Sequence, residues 1–313
     1  MAVLQAVLIG LATLIIAPGC FFYFDITPKL LVLLAGAAVC ALAWKGTRPS
    51  RAFMLVLLAS AAWLMVASAL STNPALSFFG STWRRYGAVS QLAVLLMAWF
   101  IAQNGARGRT IVVRGIAVAC TIAAAYGIAQ YSGWDPLLPR AAYHIGEGVW
   151  TIVRPPGTLG YVSYFATVLL MGGFLSLWLA HSETVPARRW LAYGAAALCF
   201  VAMALTGTRA ALLGLAAGVL TAALLRGFPV SRRTMIAVAL AGVAAAAFYF
   251  SPLGWQLRSR TRWFREDPWG GARLLLWRDS LAMSMARPAA GTASRPGSTG
   301  TKRAPISAAS RAP

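Results

Sequence analysis

Acidic residues and histidines are scarce in this chain, with seven Asp+Glu and two His in 313 residues. Acid/base and metal chemistry therefore has few candidates. The four cysteines, Cys20, Cys40, Cys120 and Cys199, are far apart and form no CxxC pair, which excludes a zinc ribbon, a haem attachment site and a disulfide framework. They are expected to pack as small hydrophobes inside apolar stretches. The G-x-x-x-x-G-K-[ST] and H-E-x-x-H motifs are absent, and no G-x-G-x-x-G follows a strand, so a nucleotide-driven pump and an intramembrane metalloprotease have no support. No metal and no cofactor is expected.

Charge is also sparse, at 11% of residues, yet it is lopsided: 28 Lys+Arg against seven acids leave a formal net charge of +21. A soluble nucleic-acid binder with that excess would break its apolar residues with polar faces. This chain is 59% hydrophobic with a mean hydropathy of +0.68, in long runs. Apolar runs of that kind predict an all-α, polytopic membrane helix bundle, because lipid cannot satisfy the backbone's hydrogen bonds outside helices. Nine spans are expected, near residues 2–18, 29–44, 52–70, 88–102, 111–131, 158–180, 190–205, 210–225 and 234–250. No basic n-region precedes the first run, which reads as a retained span rather than a signal peptide.

Orientation follows from the loop cations. Eleven fall in alternate loops: Lys45, Arg48, Arg51, Arg107, Arg109, Arg114, Arg188, Arg189, Arg226, Arg232 and Arg233. The other set up to residue 250 has six: Lys29, Arg84, Arg85, Arg140, Arg154 and Arg209. The first set is assigned to the cytoplasm, with the N-terminus inside and everything beyond residue 250 outside. The expected organisation is a transmembrane domain over 1–250, an external loop region over 251–288 and a disordered tail over 289–313. That tail has no aromatic residue, Leu or Val and cannot bury enough apolar surface to offset its ordering entropy. Its abrupt change of composition reads as a reading-frame change or a chance terminus, with a natural flexible tail as the alternative.

Arginines at the outer ends of spans are the candidate functional groups. Arg84 and Arg85 lie in STWRRYG, Arg154 in RPPGTLG and Arg209 in LTGTRAALLGL, all in one outer layer, and Arg273 follows in GGARLLLWRD. A guanidinium grips phosphate oxygens with a planar fork and stays charged at any relevant pH, so arginines from several helices suit a pyrophosphate at the membrane surface. Singly, each also fits an interfacial anchor snorkelling to lipid headgroups. Arg209 is the hardest to explain that way, because its turn between two apolar spans is very short. His144, three residues before Glu147, is the candidate base; nothing in the sequence places it near the arginines, and a surface loop residue is its plainer reading.

In order, the segments STNPALSFFGSTWRRYG, RPPGTLG, LTGTRAALLGL and GGARLLLWRDSLAMSMARP resemble the O-antigen ligase family and its O-antigen polymerase relatives. The resemblance covers roughly residues 70–290. It implies an inner-membrane glycosyltransferase of about twelve spans. Such an enzyme moves a glycan from undecaprenyl pyrophosphate to lipid A-core, to another glycan or, in some relatives, to a protein, on the periplasmic face and without metal or nucleotide sugar. Its partners would be that lipid-linked glycan, the acceptor and membrane lipids, with no nucleic acid. The resemblance matches Arg209 and Arg154 to carrier-binding positions, with Arg84, Arg85 and Arg273 as weaker matches. The family's base is a histidine in the loop after the ninth span, and residues 251–313 contain none. The expectation is therefore a C-terminally truncated ligase that keeps the carrier-binding half, its catalytic residue unknown apart from His144. A lipid-linked oligosaccharide flippase or a non-catalytic membrane component of the same pathway are the alternatives. A flippase should carry ionisable groups inside its spans, and these spans have almost none.

Overall fold

The computed structural model describes residues 1–20, 23–43, 49–71, 73–81, 85–145, 152–226, 243, 247–252 and 273–286. Ten α-helices run through them. They are α1 (Ala2–Leu14), α2 (Thr27–Leu42), α3 (Arg51–Ala69), α4 (Pro74–Phe79) and α5 (Ala88–Ala102). After these come α6 (Ala106–Tyr131), α7 (Val162–Ser182), α8 (Pro186–Thr206), α9 (Arg209–Arg226) and α10 (Arg273–Ala286). The protein is an all-α integral membrane protein: α3, α6, α7 and α8 are long and apolar enough to cross a bilayer, and α1, α2, α5 and α9 are shorter apolar helices.

Local sequence sets many of the helix ends. Ser50 accepts the Phe53 N–H at 3.4 Å and Asn73 accepts that of Leu76 at 3.2 Å, each satisfying an amide that has no partner within its helix. Proline occupies the first turn of α2, α4 and α8, where its missing N–H costs nothing. Gly207 closes α8 in the left-handed region at φ 58°, a conformation that a side chain disfavours.

Small residues form the core. Cys120, Ala123 and Ala124 of α6 meet Phe165, Ala166 and Leu169 of α7, and Cys199, Ala202 and Met203 of α8 close the cluster with Ala211 of α9. Alanines and cysteines at the contact let helix backbones approach closely, the packing that associates helices where hydrocarbon offers no hydrophobic drive. A second group, Ala37 and Cys40 of α2 with Met97 and Phe100 of α5, sits on the other side of α1, which packs against both α2 and α6. Among the residues of α3 only Ser68 is buried, so its apolar sides are free to face lipid.

Several expectations are corrected by the backbone. Arg107, Arg109 and Arg114 belong to the first turns of α6, and Arg188 and Arg189 to the start of α8, rather than to loops. A helix of 26 residues is ~39 Å long at ~1.5 Å per residue, more than the ~30 Å hydrocarbon layer, so its first turns reach the headgroups still helical. Cys20 lies exposed in the turn after α1, outside any apolar helix, whereas Cys40, Cys120 and Cys199 are buried as expected. The six-residue α4, a two-stranded hairpin of β1 (His144–Ile145) and β2 (Ile152–Val153), and α10 inside the expected loop region were not anticipated. Most of the ninth expected span and all of residues 287–313 lie outside the described residues.

Candidate functional site at the outer end of α6 to α9

The turn between α8 and α9 is built by its own threonines. Thr206, fully buried, donates its hydroxyl to the Met203 carbonyl at 2.7 Å and accepts the Thr208 N–H at 3.2 Å. The Thr208 carbonyl then accepts the N–H groups of Ala211 and Leu212, so α9 starts immediately with Arg209, half-buried, at its first position. The sequence TGTR thus converts a helix end into a helix start within two residues, and the guanidinium is carried on that start.

Arg154 arrives by a different route. The hairpin pairs His144 with Val153 and Ile145 with Ile152, and the Arg154 N–H extends it by donating to the Tyr143 carbonyl at 3.0 Å. Pro155 and Pro156 follow, buried, and lead into a 3-10 turn at Gly157–Leu159. Gln130 near the end of α6, wholly buried, holds this turn by accepting the Gly157 N–H at 2.9 Å. Its amide donates to Asp135 at 2.8 Å, and Asp135 also accepts the Tyr126 hydroxyl at 2.7 Å and the backbone N–H groups of Leu137 and Leu138. Partial burial alone would raise the Asp135 carboxyl. The hydrogen bonds from Tyr126, from the Leu138 and Leu137 backbone and from Gln130 outweigh it and hold Asp135 below the usual carboxylate range. The Thr158 hydroxyl donates to the Thr13 carbonyl at 2.8 Å, tying the turn to α1.

One apolar cluster joins these pieces. Leu205, Val153 and Tyr143 pack together with Tyr131 and Leu138, and they immediately precede Thr206, Arg154 and His144 respectively. The TGTR turn, the RPPG segment and the histidine strand therefore meet at one end of the bundle. His144 was not expected near the arginines, and the hairpin sets it across from Val153, one residue from Arg154. Its ring stands edge-on to Tyr143 at 5.0 Å, and its buried Nε2 has no hydrogen-bond partner among the described residues. Burial, and then the Arg140 charge, lower its pKa, so the neutral imidazole is the favoured form.

Arg85 is the remaining candidate with a described side chain. It is exposed in a loop at positive φ, its carbonyl held by the Ser90 hydroxyl at 2.6 Å, and the neighbouring α4 packs on α3 and α5. Arg84 and Glu147 lie outside the described residues, and Arg273 opens α10 with its side chain likewise outside them. No group of three His, Cys, Asp or Glu side chains that could hold a metal occurs among the described residues. A cavity of about 330 Å³ runs between α1, α2 and α5 beneath Leu159 of the 3-10 turn, lined by aliphatic side chains such as Leu8, Leu33 and Val94.

Residues 194–311 match the model of the O-antigen ligase family. Over that segment, less than half of the chain, the sequence is similar to the O-antigen ligase family. The family match begins within α8 and takes in the TGTR turn, Arg209, α9 and α10, while His144 and Arg154 lie before it. None of the curated proteins and none of the solved structures matches the chain. The match supports a membrane glycosyltransferase-like role in a polysaccharide pathway. Gln130, Asp135 and Tyr126, which position the RPPG turn, were missed in the sequence. The contacts join α6 to residues as many as 27 positions away, and no local pattern marks them.

Proposed function

We propose that this chain is a glycosyltransferase that takes a glycan from undecaprenyl pyrophosphate and passes it to a hydroxyl of lipid A-core or another glycan. The reaction takes place at the periplasmic face of the bacterial inner membrane. The observation that carries the reading is the Leu205–Val153–Tyr143 cluster, which gathers Arg209, Arg154 and His144 at one end of the bundle. The cations of the first turns of α6 and α8 lie at the opposite end, and the positive-inside rule makes that end cytoplasmic.

In the transfer, the acceptor oxygen attacks the anomeric carbon, the bond from that carbon to the phosphate oxygen breaks, and its electron pair leaves on the pyrophosphate. Arg209 and Arg154 stabilise that departing charge, which is largest in the transition state and beyond it. The acceptor's proton goes to His144, whose neutral imidazole is able to take it. The aliphatic cavity below Leu159 suits part of the polyprenyl chain.

Binding of a short-chain polyprenyl pyrophosphate to the detergent-purified protein tests the reading. Arg209→Ala and Arg154→Ala should each weaken it about tenfold to a hundredfold, the equivalent of ~1.5–3 kcal/mol for a charged hydrogen-bonded contact, with Arg209→Lys in between. Unchanged affinity in both alanine variants refutes the pyrophosphate role.

A further inference from the structure

A separate cavity lies at the other end of the bundle, where the proposed transfer has no use for it. It holds about 560 Å³ between α6 and α8, with Leu179 and Glu183 from the end of α7 completing its lining. Its walls are apolar: Val118 and Ile122 come from α6, and Leu191 and Ala195 from α8. Its mouth is ionic. Arg114 donates from Nε to Glu183 at 2.7 Å and makes a second, shorter contact from the same guanidinium, while exposed Arg188 stands on the facing helix.

Depth along the helices fixes what such a site can take. Arg114 is 17 residues before Tyr131, ~26 Å along α6, and Arg188 is 18 residues before Thr206, ~27 Å along α8. Both cations are therefore nearly one hydrocarbon thickness from the opposite end and stand in the headgroup layer. The apolar walls continue from them about two turns into the hydrocarbon depth. Glu183, with a side chain only 9% exposed, offsets Arg114, so the mouth keeps one net positive charge through Arg188. Arg107, Arg109 and Arg189 add to the field at the same end.

We infer that this groove binds one anionic phospholipid, its phosphate against Arg188 and the free edge of Arg114, and the first part of an acyl chain between α6 and α8. Charge complementarity selects the anionic headgroup over a zwitterionic one, and the apolar walls select a lipid over a free anion. A basic mouth over an apolar cleft between two membrane helices at the cation-rich end has both recognition elements. The site stands on the membrane-spanning fold alone and is independent of the transfer reaction.

Native mass spectrometry of the full chain, loaded with either phosphatidylglycerol or phosphatidylcholine of the same acyl chains, tests it. Wild type should retain phosphatidylglycerol in preference. Arg188→Ala should lower that retention about fivefold, as expected for one cation worth ~1 kcal/mol at an anionic surface, and leave phosphatidylcholine unchanged. Glu183→Gln should raise phosphatidylglycerol retention by releasing Arg114, and Ala195→Phe, which fills the cleft without touching charge, should abolish it. Thermal unfolding in detergent confirms that each variant is folded, and exposed Arg188 is the variant least able to disturb the fold. Equal retention of the two lipids by wild type, or phosphatidylglycerol retention unmoved by Arg188→Ala and Glu183→Gln, overturns the assignment. Displacement of the lipid by millimolar inorganic phosphate would make this a free-anion site and overturn it equally.

Discussion

Replacing Gly157 by alanine should destabilise the protein strongly, because two separate costs fall on one methyl group. Gly157 has φ 58°, and an L-residue forced into that left-handed region loses ~1–2 kcal/mol. The added Cβ would also lie 2.4 Å from Cε2 and 2.5 Å from Cδ2 of Phe165. That ring cannot swing away: Phe165 is fully buried in the cluster formed with Ala124, Leu169 and Met203. Forcing an extra carbon into such a core costs a further ~1–3 kcal/mol. The sum, ~2–5 kcal/mol, corresponds to a fall of ~4–20 °C in melting temperature for a chain of this size. Gly194→Ala is the internal control, since it sits mid-way along α8 with nothing within 4 Å of its would-be Cβ. It should gain ~0.5–1 kcal/mol from helix propensity. Fluorescence-monitored thermal unfolding in detergent reads both. A Gly157→Ala protein melting within a degree of wild type, or a Gly194→Ala protein losing as much as Gly157→Ala, would sink the reasoning that the RPPG turn is clamped against α7.

Two further outcomes can be checked alongside the carrier-binding and lipid tests. The folded protein depresses the His144 pKa below its ordinary 6.5, so it binds fewer protons there than the unfolded chain. The stability this contributes is present above pH 6.5 and is lost as pH falls through the folded value; His144→Gln should flatten that acid-side loss in pH-dependent melting, and an identical pH profile would count against it. Reporter fusions after residues 107, 230 and 290 should read cytoplasmic, cytoplasmic and periplasmic, and any reversal refutes the proposed orientation.

Much of the fold was legible because lipid imposes a coarse rule. A segment that must satisfy its backbone internally and face hydrocarbon shows a long apolar run, and eight of the nine expected spans coincide with α1–α3 and α5–α9. The errors lie where length or charge hides the signal. The six residues of α4 and the two-residue strands of the hairpin are too short to display a period, and α10 begins among arginines that read as a loop. The ends of α6 and α8 were placed too far inward, because cations were taken as loop markers although a helix continues through the headgroup layer.

The candidate site divides in the same way. Composition and local spacing alone determined the membrane class, the burial of Cys40, Cys120 and Cys199 as small hydrophobes and the short turn that must carry Arg209, since these follow from how each residue meets lipid or its own backbone. That His144 stands beside Arg154, that Gln130 and Asp135 fix the turn at Gly157, and that Arg114 pairs with Glu183 rather than standing in a loop were decided only by the tertiary structure. Each of those contacts joins chain segments through packing of buried side chains. Which of several apolar faces meets which is a property of the assembled bundle, because any one face taken alone satisfies lipid equally well.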